Sequence, residues 1–454
     1  MTATPPRHGF VIAAPASGSG KTTLTLALLR AFSRKMPVRA AKSGPDYIDP
    51  QFHQAACGMP SLNLDAWAMP PGQIRALATG QPGYDSLLIV EGAMGLFDGA
   101  PPEGDGSAAD LADILGLPVL LVIDAGKMAQ SVAALVAGFV NHRPSLSFCG
   151  IILNRVGSPR HEAMLRHALK RAGLPPVVGA LPRQADLSHP SRHLGLVQAQ
   201  ERPDLELWLD RLGDLAQAHI DLESLYAAGS RAPAHLRSTP CPVPYPAPPP
   251  PAGHIAIASD RAFAFCYPHL LSQWQGAGAR LSFFSPLADE PVPDADLVYL
   301  PGGYPELHAG RISNNAQFMN SLRKAARTTD IYGECGGYMV LGDALTDASG
   351  VAHPMAGLLK LHTSFAQRKL HLGYRHLETT TGPFAGRWRG HEFHYATTVS
   401  ANGPPLFTAR DAMHNRLPEM GLHVGRVCGS FAHLIAPAHD RSASEQTAPW
   451  VFDS

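Results

Sequence analysis

The chain has 454 residues and balances 37 Lys plus Arg against 37 Asp plus Glu. A formal charge of zero argues against nucleic acid or an anionic membrane as the main partner. No apolar run reaches the ~18 residues that a bilayer-spanning helix needs, and the six scattered cysteines have neither the spacing of a zinc site nor that of a disulfide framework. A cytoplasmic protein of two domains, each of about 200 residues, is expected.

The short apolar run 9–14 reads as a strand, and Leu24, Leu28 and Leu29 recur with helical spacing over 22–33. Between them lies "ASGSGKTT" (16–23), a phosphate-binding loop in which Pro15 stands where the usual first glycine belongs. The residues that the chemistry requires are present. Gly18, Ser19 and Gly20 let backbone N–H groups face phosphate oxygens, Lys21 reaches the terminal phosphates, the Thr22 hydroxyl suits Mg²⁺, and Thr23 continues the loop into the helix. ATP is the expected ligand.

Further apolar runs at 86–95, 118–126 and 148–156, separated by helix-length segments such as 128–141, predict a parallel sheet covered by helices. Polar residues gather where these strands end, which is where open α/β sheets bind ligands. "KSGPDYIDP" offers Lys42, Asp46 and Asp49, "EGAMGLFDG" offers Glu91 and Asp98, and "VIDAG" offers Asp124. Carboxylates near a triphosphate are hard oxygen ligands for Mg²⁺. Asn154 and Arg155, ending another strand, are candidate adenine or ribose contacts.

The proline-rich stretch 232–252 has no apolar periodicity and reads as an extended linker between a domain at 1–231 and one at 253–454. Beyond it the chain restarts with a strand (254–259), a helix (263–275) and a strand (280–284), and two later strands run into glycine-rich turns. In "YGECGGYM", Cys335 sits between a strand (330–332) and a helix starting near Tyr338, the elbow geometry of a nucleophile. "GSFAHL" supplies His433 as its base. "PGGYPEL" supplies Gly302 and Gly303, which with Gly336 are candidate donors to an oxyanion.

These motifs, taken together, resemble a known family. "PGGYPEL", "YGECGGYMVLG" and "GSFAHL" are similar to the glutaminase half of the class I glutamine amidotransferases, in the branch of the cobyrinic acid a,c-diamide and cobyric acid synthases. "ASGSGKTT", "KSGPDYIDPQFH", "EGAMGLFDG" and "NRVGSPRH" resemble the first half of the a,c-diamide synthases, which is similar to dethiobiotin synthetase. The fold implied is a parallel-sheet P-loop nucleotide-binding domain followed by a class I amidotransferase-like α/β domain.

The activity implied is amidation of the a and c carboxylates of a corrinoid, cobyrinic or hydrogenobyrinic acid, with ATP and glutamine in cobalamin biosynthesis. By the same resemblance, Thr22, Asp49 and Glu91 would hold Mg²⁺, while Lys42, Asp46 and Tyr47 would bind the ring carboxylate. Cys335 and His433 would release ammonia from glutamine. Class I glutaminases carry a Glu two residues after the His; here that position is Ile435, so a Cys–His dyad is expected and the group that orients His433 is unassigned.

"LGYRHLE" and "GHEFHYA" place Tyr374, Arg375, His391, Glu392 and His394 in the second half, where they line an ammonia passage, line the ring pocket or serve the fold. The partners are small molecules, and a homodimer is compatible with the sequence. Two rival readings are a nickel-sirohydrochlorin a,c-diamide synthase and a P-loop regulatory ATPase with a glutaminase-like appendage.

Overall fold

A computed structural model describes residues 8–79, 86–183, 198–229 and 248–438. Most of the proline-rich stretch, 232–247, lies outside the described residues.

The first half is built on seven parallel strands: β1 (Gly9–Ala13), β2 (Val38–Ser43), β3 (Leu62–Leu64), β4 (Leu87–Glu91), β5 (Val119–Asp124), β6 (Phe148–Val156) and β7 (Val177–Pro182). Their order is β3-β2-β4-β1-β5-β6-β7. The central strands are apolar on both faces because helices cover both. Phe10, Ile12, Ile89, Leu120 and Val122 pack toward one layer, and Val11, Val90, Leu121 and Ile123 toward the other. Helix α1 (Lys21–Ser33) and the following helix α2 (Asp49–Cys57) start at the carboxyl ends of β1 and β2, so their N-termini face the same edge of the sheet as the ends of β4 and β6.

The second half carries a six-stranded sheet, strands β8 (His254–Ala258), β9 (Arg280–Phe284), β10 (Leu297–Leu300) and β11 (Asp330–Glu334) being parallel. Strands β12 (Ala344–Thr346), β13 (Ala352–Pro354), β14 (Lys360–Ser364) and β17 (Thr397–Asn402) form a small sheet of their own. A fourth sheet joins β15 (His371–Thr379), β16 (Gly386–His394), β18 (Thr408–Arg410) and β21 (Ala432–Pro437) in antiparallel pairs. The six-stranded sheet is completed by β19 (Leu422–Val424) and β20 (Val427–Ser430), the latter parallel to β11.

Two helical expectations need adjustment. The segment expected to be helical from 263 becomes so only at Pro268, with Tyr267 as its extended N-cap residue; the residue before a proline is steered out of the α region and proline suits the first helical turn. The segment expected from 128 is helical only over Val132–His142.

The two halves meet through specific contacts. Tyr374 donates a hydrogen bond to Asp65 Oδ2 at 3.0 Å and stacks on Trp67 at 4.3 Å. The Arg389 guanidinium lies over the Trp67 ring at 4.7 Å. The Tyr267 hydroxyl donates to the Pro45 carbonyl at 3.3 Å, and Gln198 Nε2 to that of Arg261 at 3.1 Å.

Candidate active site

The phosphate loop closes onto the N-terminus of α1. Gly20 is its N-cap residue, at φ 93°; a Cβ there would lie 2.2 Å from the Asn154 amide nitrogen, so both conformation and space demand glycine. Asn154 Nδ2 donates to the Ser19 carbonyl at 2.9 Å and Arg155 Nη2 to that of Gly18 at 3.0 Å, while Arg155 also pairs with Asp124. These two residues therefore brace the loop from β6 and line the cavity beside it. That cavity, of about 440 Å³, is bounded by Gly18, Gly20, Lys21, Thr22, Thr23, Lys42, Glu91, Asn154 and Arg155. Lys21 is nearly buried, and its ammonium group donates to the carbonyls of Ala16 and Met94. Burial lowers its pKa, against the pull of Glu91.

At the carboxyl end of β4, Glu91 is fully buried and its oxygens are taken from three sides. Oε1 accepts from Thr22 Oγ1 at 2.6 Å and Lys42 Nζ at 2.9 Å, and Oε2 lies 2.7 Å from His53 Nε2. Burial would raise its pKa, but Lys42, His53 and Thr22 together hold it well below the usual carboxylate range. Lys42 also donates to Asp49 Oδ2 at 2.5 Å. For Lys42, burial is outweighed by Asp49, Glu91 and Asp46, so it stays charged.

Lys42, expected on the ring carboxylate, has its ammonium group between two buried acids, Asp49 and Glu91. Asp46 Oδ1 accepts from the amides of Ile48 and Asp49 at the start of α2. Burial and the nearby Asp49 push its pKa up to about 7.

The donors suit a small hard cation. Octahedral Mg²⁺ with oxygens at about 2.0–2.1 Å needs neighbouring ligands roughly 2.9 Å apart. Thr22 Oγ1 and Glu91 Oε1, 2.6 Å apart, approach that spacing, whereas Asp49 reaches the group through Lys42. A second cluster, His371, Glu392 and His394, brings its ligand atoms within 4.8 Å. Its imidazoles stack at 4.6 Å with planes 5° apart, and Arg375 takes Glu392 Oε2 through two donors. Lone pairs in parallel stacked rings do not converge, so this cluster is an ion-pair brace.

The second centre lies at the end of β11. Cys335 adopts φ 49° and ψ −102° as N-cap of the short helix Gly336–Val340, the strained turn expected of a nucleophile elbow. Gly302 makes room for both partners: a Cβ there would come within 2.5 Å of His433 Cε1 and 3.3 Å of Cys335 Cβ. A Cβ on Gly336 would lie 3.0 Å from the Gly303 nitrogen, so the two backbone segments proposed as oxyanion donors abut next to the sulfur. His433, in β21, is buried. Burial alone would lower its pKa, but the Cys335 sulfur and then the Glu334 carboxylate outweigh it and raise it to about 10.

Sequence reasoning missed Glu334. Its Oε1 lies 3.0 Å from His433 Nδ1, and Ile435 is an apolar core residue. The signal was an acid ending an apolar strand immediately before the nucleophile. Tyr47, expected on the ring carboxylate, instead stacks on Tyr267 and packs against His433 at 4.4 and 4.8 Å between ring centroids. Beside it, a cavity of about 610 Å³ opens between the halves, bounded by Gln51, Gln54 and Asn63 on one side and Asp260, Arg261 and Cys266 on the other.

Comparison with known proteins finds a family match for each half. Residues 10–197 match the family described as the CobQ/CobB/MinD/ParA nucleotide binding domain, and residues 254–441 the CobB/CobQ-like glutamine amidotransferase domain. The hydrogenobyrinate a,c-diamide synthase of Brucella anthropi is 54% identical over 433 residues, covering 94% of this chain and 98% of its own. The enzymes of that name from Rhodobacter capsulatus and Rhizobium meliloti are 53% and 51% identical, each over 94% of this chain and 98% and 99% of their own. With a nucleotide-binding half, a glutamine amidotransferase half and relatives of this identity along nearly its whole length, the chain belongs to the hydrogenobyrinate a,c-diamide synthase family of amidotransferase ligases.

Proposed function

We propose that this protein amidates the a and c carboxylates of hydrogenobyrinic acid, using one ATP and one glutamine for each amide. A synthetase unit up to residue 231 would activate the ring and a glutaminase unit from residue 253 would supply nitrogen. The names of the relatives favour the metal-free ring over cobyrinic acid. The observation that carries this reading is the contact between Tyr47, from the loop that also bears Asp46, and His433 of the thiol centre. It brings a loop of the nucleotide-binding half against the histidine of the thiol centre.

In the first centre a ring carboxylate oxygen attacks the γ-phosphorus of ATP and ADP leaves, giving an acyl phosphate. Gly18 to Thr23 and the N-terminus of α1 would hold the phosphates, and Lys21 would exchange its carbonyl partners for phosphate oxygens. Thr22 and Glu91, with Asp49 behind Lys42, would hold Mg²⁺, which when bound supplies positive charge to the transferring phosphoryl group. In the second centre Cys335 Sγ attacks the glutamine carboxamide carbon while Gly303 and Gly336 N–H groups stabilise the oxyanion. His433 delivers a proton to the departing nitrogen, and water then cleaves the glutamyl thioester. Ammonia attacks the acyl carbon and phosphate leaves.

Aromatic rings gather where the halves meet: partly buried Tyr47 stacks on buried Tyr267 and Phe265, and partly buried Tyr374 bonds to Asp65. Groups of this kind shelter ammonia from water and offer it no acid of high strength. His391, paired across the strands with His433, has its pKa lowered to about 3 by burial and by the His433 charge, so it stays neutral on this route.

The test is product mass spectrometry after incubation with Mg²⁺, ATP, glutamine and each of three rings: hydrogenobyrinic acid, cobyrinic acid and nickel-sirohydrochlorin. Double amidation of the first is expected; exclusive amidation of the third would overturn the assignment.

A further inference from the structure

The Glu334 carboxylate is held by donors from three directions. Oε1 accepts from the Tyr299 hydroxyl on β10 at 3.1 Å and pairs with His433 Nδ1 at 3.0 Å, while Oε2 accepts from the Leu434 amide at 3.1 Å. The residue is 2% exposed and His433 1%. A buried carboxylate is tolerated only where charge and hydrogen bonds compensate it. Here the compensating charge is the imidazolium itself.

Two neighbouring features leave this arrangement little freedom. Ile435, where class I glutaminases carry Glu, is buried, and its carbonyl accepts from His269 Nε2 at 2.8 Å. That position therefore offers His433 no carboxylate, and its carbonyl is committed to His269. The strand pairing of β11 with β20 sets Glu334 opposite Ser430, three residues before His433. The nucleophile's own strand thus delivers both the sulfur and an acid to the same imidazole, one to each ring nitrogen.

We propose that Glu334 is the positioning residue of the thiol centre, completing a Cys335–His433–Glu334 triad whose acid directly precedes its nucleophile. Glu334 keeps the proton on His433 Nδ1 and favours the imidazolium, so that Nε2 holds the proton given up by the Cys335 thiol and passes it to the departing nitrogen. The other groups facing His433 are Cys335, His391 across the β16–β21 pair, and the neutral phenol of Tyr47. Glu334 is thus the only carboxylate among these neighbours. The proposal rests on the reading of Cys335 as the glutamine nucleophile.

The test uses Glu334→Gln and Glu334→Asp in the full chain, assayed with glutamine and, separately, with an ammonium salt. Glu334→Gln keeps the size of the side chain and one acceptor oxygen, for Tyr299 and His433 or for the Leu434 amide, and removes the charge. It is expected to lower kcat with glutamine by on the order of 10²-fold or more, with KM for glutamine little changed. Glu334 holds the His433 proton on, so its loss lowers the His433 pKa and should move the alkaline limb of glutamine kcat/KM to lower pH. Glu334→Asp should recover part of the rate and restore the limb. An unchanged kcat and limb in Glu334→Gln overturns the proposal.

One arm needs no variant: imidazole nitrogen resonances of isotopically labelled, unaltered protein should show His433 protonated at Nδ1 throughout, and a bare Nδ1 overturns the proposal. Full glutamine use by Cys335→Ser would instead overturn the underlying reading and leave the His433–Glu334 result standing as a separate observation.

Discussion

The ring of Tyr47 lies 4.8 Å from the imidazole of His433, centroid to centroid, with the planes inclined at 45°. Tyr47 follows Asp46 in the loop between β2 and α2, and Lys42, at the end of β2, touches Asp49 and Glu91 of the phosphate centre. Five residues of chain thus connect a group beside the nucleotide cavity with one in contact with the thiol centre. Substrate-driven motion of this loop would reach His433 without passing through the rest of either sheet. Replacing Tyr47 with Leu keeps apolar bulk but removes the ring. Glutamine hydrolysed per amide formed, near one in the intact protein, is expected to rise at least about twofold as ammonia escapes. If instead the ratio stays at one while KM for the ring climbs, Tyr47 belongs to ring binding.

Cys335→Ser tests the division of labour. Serine lacks the nucleophilicity of the thiolate, so amidation with glutamine should fall by on the order of 10³-fold. Amidation with ammonium salt, measured at a pH where free ammonia is plentiful, uses the other centre. Equal loss of both activities would show that Cys335 has no dedicated role in nitrogen release.

Glu91→Gln keeps the size of the side chain but removes a charge that Lys42, His53 and Thr22 all address. Amidation from either nitrogen source should drop by about 10²-fold. Glutamine hydrolysis should drop far less, because Cys335 and His433 lie in the other half. A loss confined to glutamine hydrolysis would contradict the placement of Glu91 at the phosphate centre.

Much of this arrangement was legible in the sequence, for physical reasons that differ by region. Buried parallel strands announce themselves as continuous apolar runs: 148–156 matches β6 end for end, and 280–284 matches β9 although that edge strand is partly exposed. Motifs on glycine turns were legible too, because Gly20, Gly302 and Gly336 stand where a Cβ would collide. The strands from β12 to β18 left no comparable trace, since they are brief, as in three-residue β12 and β18, or lack continuous burial, as in β15 and β17. Glu334 escaped because its partner comes from 99 residues away, across a strand pairing that local pattern does not encode. The contact of Tyr47 with His433 escaped for the same reason, since the two residues lie far apart in sequence and in different halves.

Lys42 offers the sharpest separation between a substrate contact and a charge compensator. Its ammonium group lies within hydrogen-bond distance of both Asp49 and Glu91, and all three side chains are buried. Lys42→Met would leave two carboxylates facing each other, with the Lys21 charge and the His53 contact to Glu91 as the remaining compensation. Removing one partner from a buried ion pair destabilises by about 3–5 kcal/mol, so a clear drop in Tm is expected. A divalent cation ligated by Thr22, Asp49 and Glu91 would supply the missing charge. Millimolar Mg²⁺ should therefore raise the Tm of Lys42→Met by more than that of the unaltered protein, since binding to the folded state alone adds stability with concentration. A residue devoted to holding the ring carboxylate would behave otherwise: its loss would raise KM for the ring while leaving Tm and its Mg²⁺ dependence as they were.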